Sequence, residues 1–332
     1  MKKYILGAGF TGLSAGFKTK AKIFEAKEYP GGICASYSVD GYKFEIGGGH
    51  WIFGADGEVL NFINRFVEAK SYQRTSAVYL PDLDLYIPYP IQNHLFYLPK
   101  DIRKKVLGEI INSEEKETTT MAEWLEVNFG KTLCELFFFP FHELYTAGLY
   151  KKIAPQDKFK SPVDKNLIIK GAEEKTPPVG YNVVFVYPKE GLDVLAKKIA
   201  YECDIEYKKE VVKIDLKKKE ILFKDGSGVK YESLISTIPL NKIMEIADIN
   251  INEKSLPFTS VLVLNIGAKK GDKCPKEHWI YIPKSKAGFH RVGFYSNVDS
   301  LFLPASSRDS EDRVSIYVEK AFLGGTKLTK ED

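Results

Sequence analysis

Tyr4-Ile5-Leu6-Gly7-Ala8-Gly9-Phe10-Thr11-Gly12-Leu13 sets a short apolar run before three glycines spaced Gly-x-Gly-x-x-Gly, and a helical stretch continues to about Thr19. Lys22-Ile23-Phe24 reads as a second strand that ends at Glu25, eighteen residues after Gly7. Each part has a physical reason. Gly7 permits the tight turn, Gly9 lets the backbone approach a diphosphate, and Gly12 lets helix and strand pack closely. The helix start offers unpaired N–H groups and a positive dipole end to phosphate oxygens. Glu25 is placed to accept from ribose hydroxyls. A turn before a packed helix would also use the glycines, but strand, helix and acid in one register favour a dinucleotide site.

Two further glycine-rich segments follow: Pro30-Gly31-Gly32-Ile33-Cys34-Ala35-Ser36, and Phe44-Glu45-Ile46-Gly47-Gly48-Gly49-His50-Trp51-Ile52-Phe53. Three consecutive glycines remove every Cβ from a stretch of backbone, which suits close approach to a flat ring and would equally suit a hairpin tip. Gly7 to Glu25, Gly31-Gly32 and the Gly-Gly-Gly-His run together resemble FAD enzymes of the amine oxidase and protoporphyrinogen oxidase superfamily. Within it they look most like the UDP-galactopyranose mutases. The resemblance implies FAD as cofactor, held by Gly7, Gly9, Gly12, Glu25, Gly31, Gly32, Ser36, Gly48, Gly49 and His50. The strand Glu210 to Asp215 resembles the one whose backbone pairs with adenine, which nominates Val211. Leu234 to Pro239 resembles the strand that returns beside the flavin.

Tyr86-Ile87-Pro88-Tyr89-Pro90-Ile91-Gln92-Asn93 resembles the eukaryotic-type mutase pattern, which implies Tyr89 and Gln92 in a uridine pocket; a rigid connector with Tyr89 in the core is the alternative. The resemblance likewise carries Asn182, at the start of an expected strand from Tyr181 to Pro188, to the substrate, though a turn role is also open. Of the six arginines (Arg65, Arg74, Arg103, Arg291, Arg308, Arg313), Arg291 is set in an alternating apolar strand. There a planar fork suits bidentate capture of a diphosphate, and a sheet ion pair is the alternative. By strand alternation His290 is expected on the opposite face, in a structural role. His50 and Arg291 are the residues nominated as catalytic. Two features depart from the mutase pattern. The segment Glu143 to Leu149 has no matching tryptophan, and the second diphosphate arginine is missing from 151–178, where Lys160 offers only a point charge.

Composition bounds the rest. At 332 residues, with 44% hydrophobic and 28% charged residues, the chain is globular and long enough for more than one unit. A net charge of +4 gives no general reason to expect nucleic acid as partner. Cys34, Cys134, Cys203 and Cys274 are scattered, which argues against a disulfide framework or a metal site and for a reducing, cytoplasmic setting. No apolar run reaches the length of a membrane span. Phe137 to Phe141 reads as helix core.

The expected fold is α/β. A discontinuous Rossmann-like FAD domain covers 1–75 and 181–248, a helical insert covers 90–175, and an antiparallel sheet for substrate covers 76–89 and 250–332. The glycine-containing strand-turn-helix that closes such FAD enzymes is not found before Asp332, which leaves open a shortened member, an incomplete copy or a partner chain that supplies the element. Activity on a nucleotide-linked sugar such as a UDP-sugar through reduced flavin is the leading expectation. FAD-dependent oxidation of an amine or a carbon–carbon bond is the second, and a catalytically silent FAD-binding or scaffold protein is the third.

Overall fold

The computed structural model describes residues 2–54, 56–155, 163–178, 182–250, 256–307 and 312–329. The chain forms two compact units: Met1–Ser71 with Val186–Leu256, and Tyr72–Phe185 with Pro257–Asp332.

The first unit is built on four parallel strands in the order Ile205–Glu206, Lys22–Phe24, Lys3–Leu6, Ser233–Ser236. Central strand and helix share a dry interior, with Ile5, Leu13 and Ile23 at 0% and Leu6 at 1% exposure. Each such side chain contributes about 1.5–3 kcal/mol by leaving water. The helix Phe10–Thr19 lies close to the sheet because glycines face it. A Cβ on Gly12 would sit 1.9 Å from the Gly7 carbonyl oxygen, and one on Gly16 would sit 2.5 Å from Ile23 Cδ1. Lys20, in the left-handed conformation, ends the helix by donating its N–H to the Gly16 carbonyl. The helix Leu192–Tyr201 buries Leu192, Leu195, Ala196 and Ile199 and packs on the first helix. An antiparallel sheet of Val211–Asp215, Glu220–Phe223 and Gly228–Lys230 shares its core with Leu6 and Phe24. The hairpin Ser36–Val39 with Tyr42–Glu45 turns at Asp40 and Gly41, both with positive φ, and delivers the chain to the Gly47–His50 loop.

The second unit carries a six-stranded sheet in the order Thr259–Lys269, Arg313–Leu323, Arg291–Phe294, Trp279–Tyr281, Ser76–Leu80, Leu85–Pro88. Its neighbours pair antiparallel except at one seam, where Trp279–Tyr281 runs parallel to Ser76–Leu80. The antiparallel expectation is amended there. The seam joins two distant chain segments, and no hairpin dictates their relative direction. Helices Lys100–Ile111, Met121–Leu133, Phe139–Tyr145 and Lys165–Glu173 pack around Val106, Leu125, Phe129, Phe137 and Phe138, in one core with Val78, Leu80 and Ile87 of the sheet. The helices of 90–175 and the sheet therefore belong to a single compact unit. Within the helical insert expected over 90–175, a π turn occupies Cys134–Phe138, the next helix ends at Tyr145, and Gly148 follows in the left-handed conformation. Among the described residues no helix is long and apolar enough to cross a membrane.

Candidate functional site

The glycine segments of the first unit form one continuous cradle. Gly7, at φ +94, donates its N–H to the Phe24 carbonyl and turns the chain from strand to helix. Gly9 starts the helix, no side chain caps the first turn, and a Cβ on Gly9 would meet open space. The first-turn N–H groups and this space fit an anionic group close to the backbone. Gly31 donates to the Ala8 carbonyl at 2.8 Å, and a Cβ on Gly32 would come within 3.3 Å of Gly9 Cα. These contacts lay the second glycine loop against the first. Ile46 and Gly47 donate to the Ala35 and Ile33 carbonyls, which ties in the third. Ser36 Oγ is buried and has no hydrogen-bond partner among the described residues, so the cradle holds a hydroxyl suited to a ligand.

Glu25 is pinned rather than loose. Its carboxylate accepts from the Ala8 N–H at 2.6 Å and the Lys27 N–H at 2.8 Å, and each oxygen keeps a further lone pair for a ribose hydroxyl. Val211 begins its strand at a bulge and packs on the core that contains Leu6 and Phe24. Thr237 escaped the sequence reading. Its hydroxyl donates to the Leu6 carbonyl at 2.8 Å and lies where a Cβ on Gly7 or Gly12 would be 2.9 Å away. It closes the floor of the first turn, and its only sequence signal is a hydroxyl residue at the end of the returning strand.

Beneath the third loop lies a polar network the sequence did not announce. Glu45 is fully buried, accepts from the His50 N–H at 2.9 Å and from the Tyr187 hydroxyl at 2.5 Å, and lies 3.8 Å from His50 Nδ1. Burial pushes its carboxyl up to about 8, against the opposing pull of Tyr187, the His50 amide and Lys43. Lys43 itself bonds Asp193 at 2.6 Å and the Glu190 carbonyl at 2.7 Å. Burial works against the ionised Asp193, yet Lys43 and Lys197 outweigh it and hold that carboxyl below its usual value. Burial, followed by the Glu45 charge, pushes the Cys34 thiol up to about 12, so this cysteine is no thiolate nucleophile. His50 Nδ1–H donates to the Gly48 carbonyl at 2.9 Å, which leaves Nε2 as the ring nitrogen this bond does not use. Gly48 has φ +83, a conformation a side chain would strain, and Gly49 continues the loop into His50.

The substrate nominees fall in the second unit. Tyr89 donates its N–H to the Ser76 carbonyl, and its ring lies 4.8 Å from that of Tyr281. Gln92 is 1% exposed on a short helical turn beside Asn93 and His94. Arg74, passed over in the sequence, is 3% exposed, donates Nη2–H to the Tyr89 carbonyl and lies over the Tyr89 ring. Burial, then the Arg74 charge, lowers His94 to about 4. Asn182 sits in a left-handed turn just before the strand Val184–Pro188, which starts three residues later than expected. Tyr181 and Lys160 lie outside the described residues.

Arg291 grips its own chain. Its Nε–H and Nη2–H each donate at 2.6 Å to Glu319, the residue directly across the ladder. The fork expected for a diphosphate thus has one full edge committed to a carboxylate. His290 also corrects an expectation. It lies one residue before the strand, outside strict alternation, and its Nε2 reaches the same carboxylate at 3.4 Å. Burial opposes ionisation of Glu319, but Arg291 and His290 overcome it and hold the acid down to about 2. Phe141 and Tyr145 pack on the His290 ring, and Tyr317 lies under Arg291.

A family model described as flavin containing amine oxidoreductase matches residues 8–270. The crystal structure of reduced UDP-galactopyranose mutase superposes with a TM-score of 0.85 at 23% identity, over 99% of this chain and 75% of that one. A fatty acid isomerase from P. acnes matches at TM-score 0.60 and 14% identity, over 99% and 79% of the two chains. A triple mutant of putrescine oxidase redesigned in its cofactor binding matches at 0.63 and 13%, over 96% and 75%. At such identities the superpositions establish a common fold, which isomerases and oxidases share.

Proposed function

The chain belongs to the flavin containing amine oxidoreductase family and is a FAD enzyme, and from that premise we propose that it acts on a nucleotide-linked sugar in the manner of a UDP-galactopyranose mutase. The observation that carries this reading is the likeness to reduced UDP-galactopyranose mutase over 99% of the chain at a TM-score of 0.85. In this reading Gly7, Gly9 and Gly12 hold the FAD diphosphate, Glu25 the ribose, and Val211 the adenine. Gly31, Gly32, Ser36 and the Gly48-Gly49-His50 backbone hold the remainder of the cofactor.

When bound and reduced, FAD would supply the nucleophile, so no side chain would have to. The protein's own part is binding and orientation. Tyr89 and Gln92 offer an aromatic face and a buried amide to the uracil, and Asn182 offers an amide to the sugar nucleotide. Arg291 reaches the diphosphate only with Glu319 attached, so the charge it presents is that of a pair. Arg74 is another buried guanidinium of the unit, already held against Tyr89.

An FAD-dependent oxidoreductase is the second reading. It is favoured by the commitment of Arg291 to Glu319, which weakens the case for a diphosphate there. One experiment separates the two. The purified chain is loaded with FAD, reduced with dithionite and titrated with UDP. Saturable binding that Tyr89→Ala weakens by about 1–3 kcal/mol of stacking supports the mutase reading. No UDP binding to the reduced protein removes it, and bleaching of the oxidised flavin by an amine without oxygen then establishes the oxidoreductase.

A further inference from the structure

The Gly47–His50 loop rests on a buried acid that the proposed chemistry does not use. Glu45 meets the loop through the His50 N–H at 2.9 Å and the next segment through the Tyr187 hydroxyl at 2.5 Å. One side chain thus fastens the loop to the strand Val184–Pro188, 142 residues away in sequence.

We propose that Glu45 is a positioning residue for this loop, and that the proton on its carboxyl group couples the grip of the loop on FAD to pH. The proposal rests on the reading that the Gly48-Gly49-His50 backbone holds the cofactor.

The groups around Glu45 show why its proton matters. Tyr187 comes from the strand Val184–Pro188, Asp193 from the helix Leu192–Tyr201, Lys43 from its own hairpin, Cys34 from the second glycine loop and His50 from the third. The Tyr187 phenol is itself pushed well above its usual value, burial being the first cause and the Glu45 charge the second, so it stays a neutral donor. Cys34 stays a thiol. Lys43 and Lys197 are bonded to Asp193, which keeps its charge. Glu45 is therefore the acid of this group that changes charge near neutral pH, at about 8. Below that value it is neutral. Above it, a buried negative charge appears under the loop, of the same sign as the FAD diphosphate.

The sign follows from linkage. The folded carboxyl titrates near 8 and the ordinary one at 4.5, so Glu45 contributes stability that is fully present below 4.5 and is lost as pH rises to about 8. The test uses the full chain as wild type, Glu45→Gln and Glu45→Ala. Without FAD, thermal melting is followed from pH 5 to 9. Wild type loses stability across this range relative to Glu45→Gln, whose amide still accepts from the His50 N–H but does not titrate.

With FAD, binding is followed by flavin fluorescence. Wild-type affinity falls about tenfold between pH 7 and 9 as the acid ionises, and that of Glu45→Gln stays level. At pH 7 Glu45→Gln binds within about threefold of wild type, and Glu45→Ala, which lacks the acceptor, binds at least about tenfold more weakly. A Glu45→Gln profile that follows wild type in either experiment overturns the proposal. Failure of wild type to take up FAD at pH 7 overturns the reading of the loop as a cofactor site, and the FAD-free melts still decide whether Glu45 carries the pH dependence.

Discussion

Glu45 in the first unit and Glu319 in the second are both almost completely buried, at 0% and 4% exposure, yet their protons behave in opposite ways. Glu45 is held by a phenol and a backbone amide, and burial raises it to about 8. Glu319 suffers the same penalty but faces the Arg291 fork, and it is held to about 2. Two neutral donors do not compensate desolvation of a carboxylate, whereas a bidentate guanidinium does. The glycine cradle stands above the acid that remains protonated at neutral pH. In the second unit Tyr145 packs on His290 and Tyr317 lies under Arg291, the two partners of the acid that is ionised at neutral pH.

The harshest way to break this comparison is to remove the carboxylate of Glu319. Glu319→Ala leaves Arg291 buried without its partner and should cost about 3–5 kcal/mol in urea denaturation. Replacing both residues with methionine should recover most of that loss, because a buried pair contributes less than its breakage costs. A double variant as unstable as the single would show that the pair contributes more than packing.

A gentler test compares the pH profiles of Glu45→Gln and Glu319→Gln. Glu319 is depressed from 4.5, so its contribution is complete above that pH and is lost as pH falls towards about 2. Glu319→Gln should flatten the acid limb of stability and Glu45→Gln the limb between about 5 and 8. Each limb has a slope of at most about 1.4 kcal/mol per pH unit from one proton. The comparison fails if one variant alters both limbs.

Tyr187→Phe is smaller still. It removes the shorter bond to Glu45 and should cost about 1–3 kcal/mol. It should also drive the Glu45 carboxyl further up, since Tyr187 is the first group that holds it down. The basic limb of the melt profile would then move to higher pH, and an unmoved limb would mean that Tyr187 does not govern the proton.

Gly7, Gly9 and Gly12 were legible because their requirement is local. The positive φ of Gly7 and the 1.9 Å that would separate a Gly12 Cβ from the Gly7 carbonyl oxygen exclude side chains there, and the open space beside Gly9 lets a ligand approach the backbone. Glu25 was legible for a similar reason, since one βαβ unit brings it back to Ala8. Arg291 was half legible. Its strand was readable, but its partner across the ladder depends on a register that no local pattern specifies. His290 was misplaced because alternation was extended one residue past the strand's start. Arg74 lies buried over the Tyr89 ring and carries no signal, because burial of an arginine is decided by what packs around it.

The amino-acid sequence alone therefore determined the three glycine loops, the parallel unit that carries them and the family resemblance. All of these rest on backbone conformations and spacings that neighbouring residues impose on one another. Only the tertiary structure decided what the buried charges do. Glu45 meets Tyr187 across 142 residues, and Arg291 meets Glu319 across 28. A carboxyl group's proton is set by the desolvation and the donors it finds when folding brings such distant segments together.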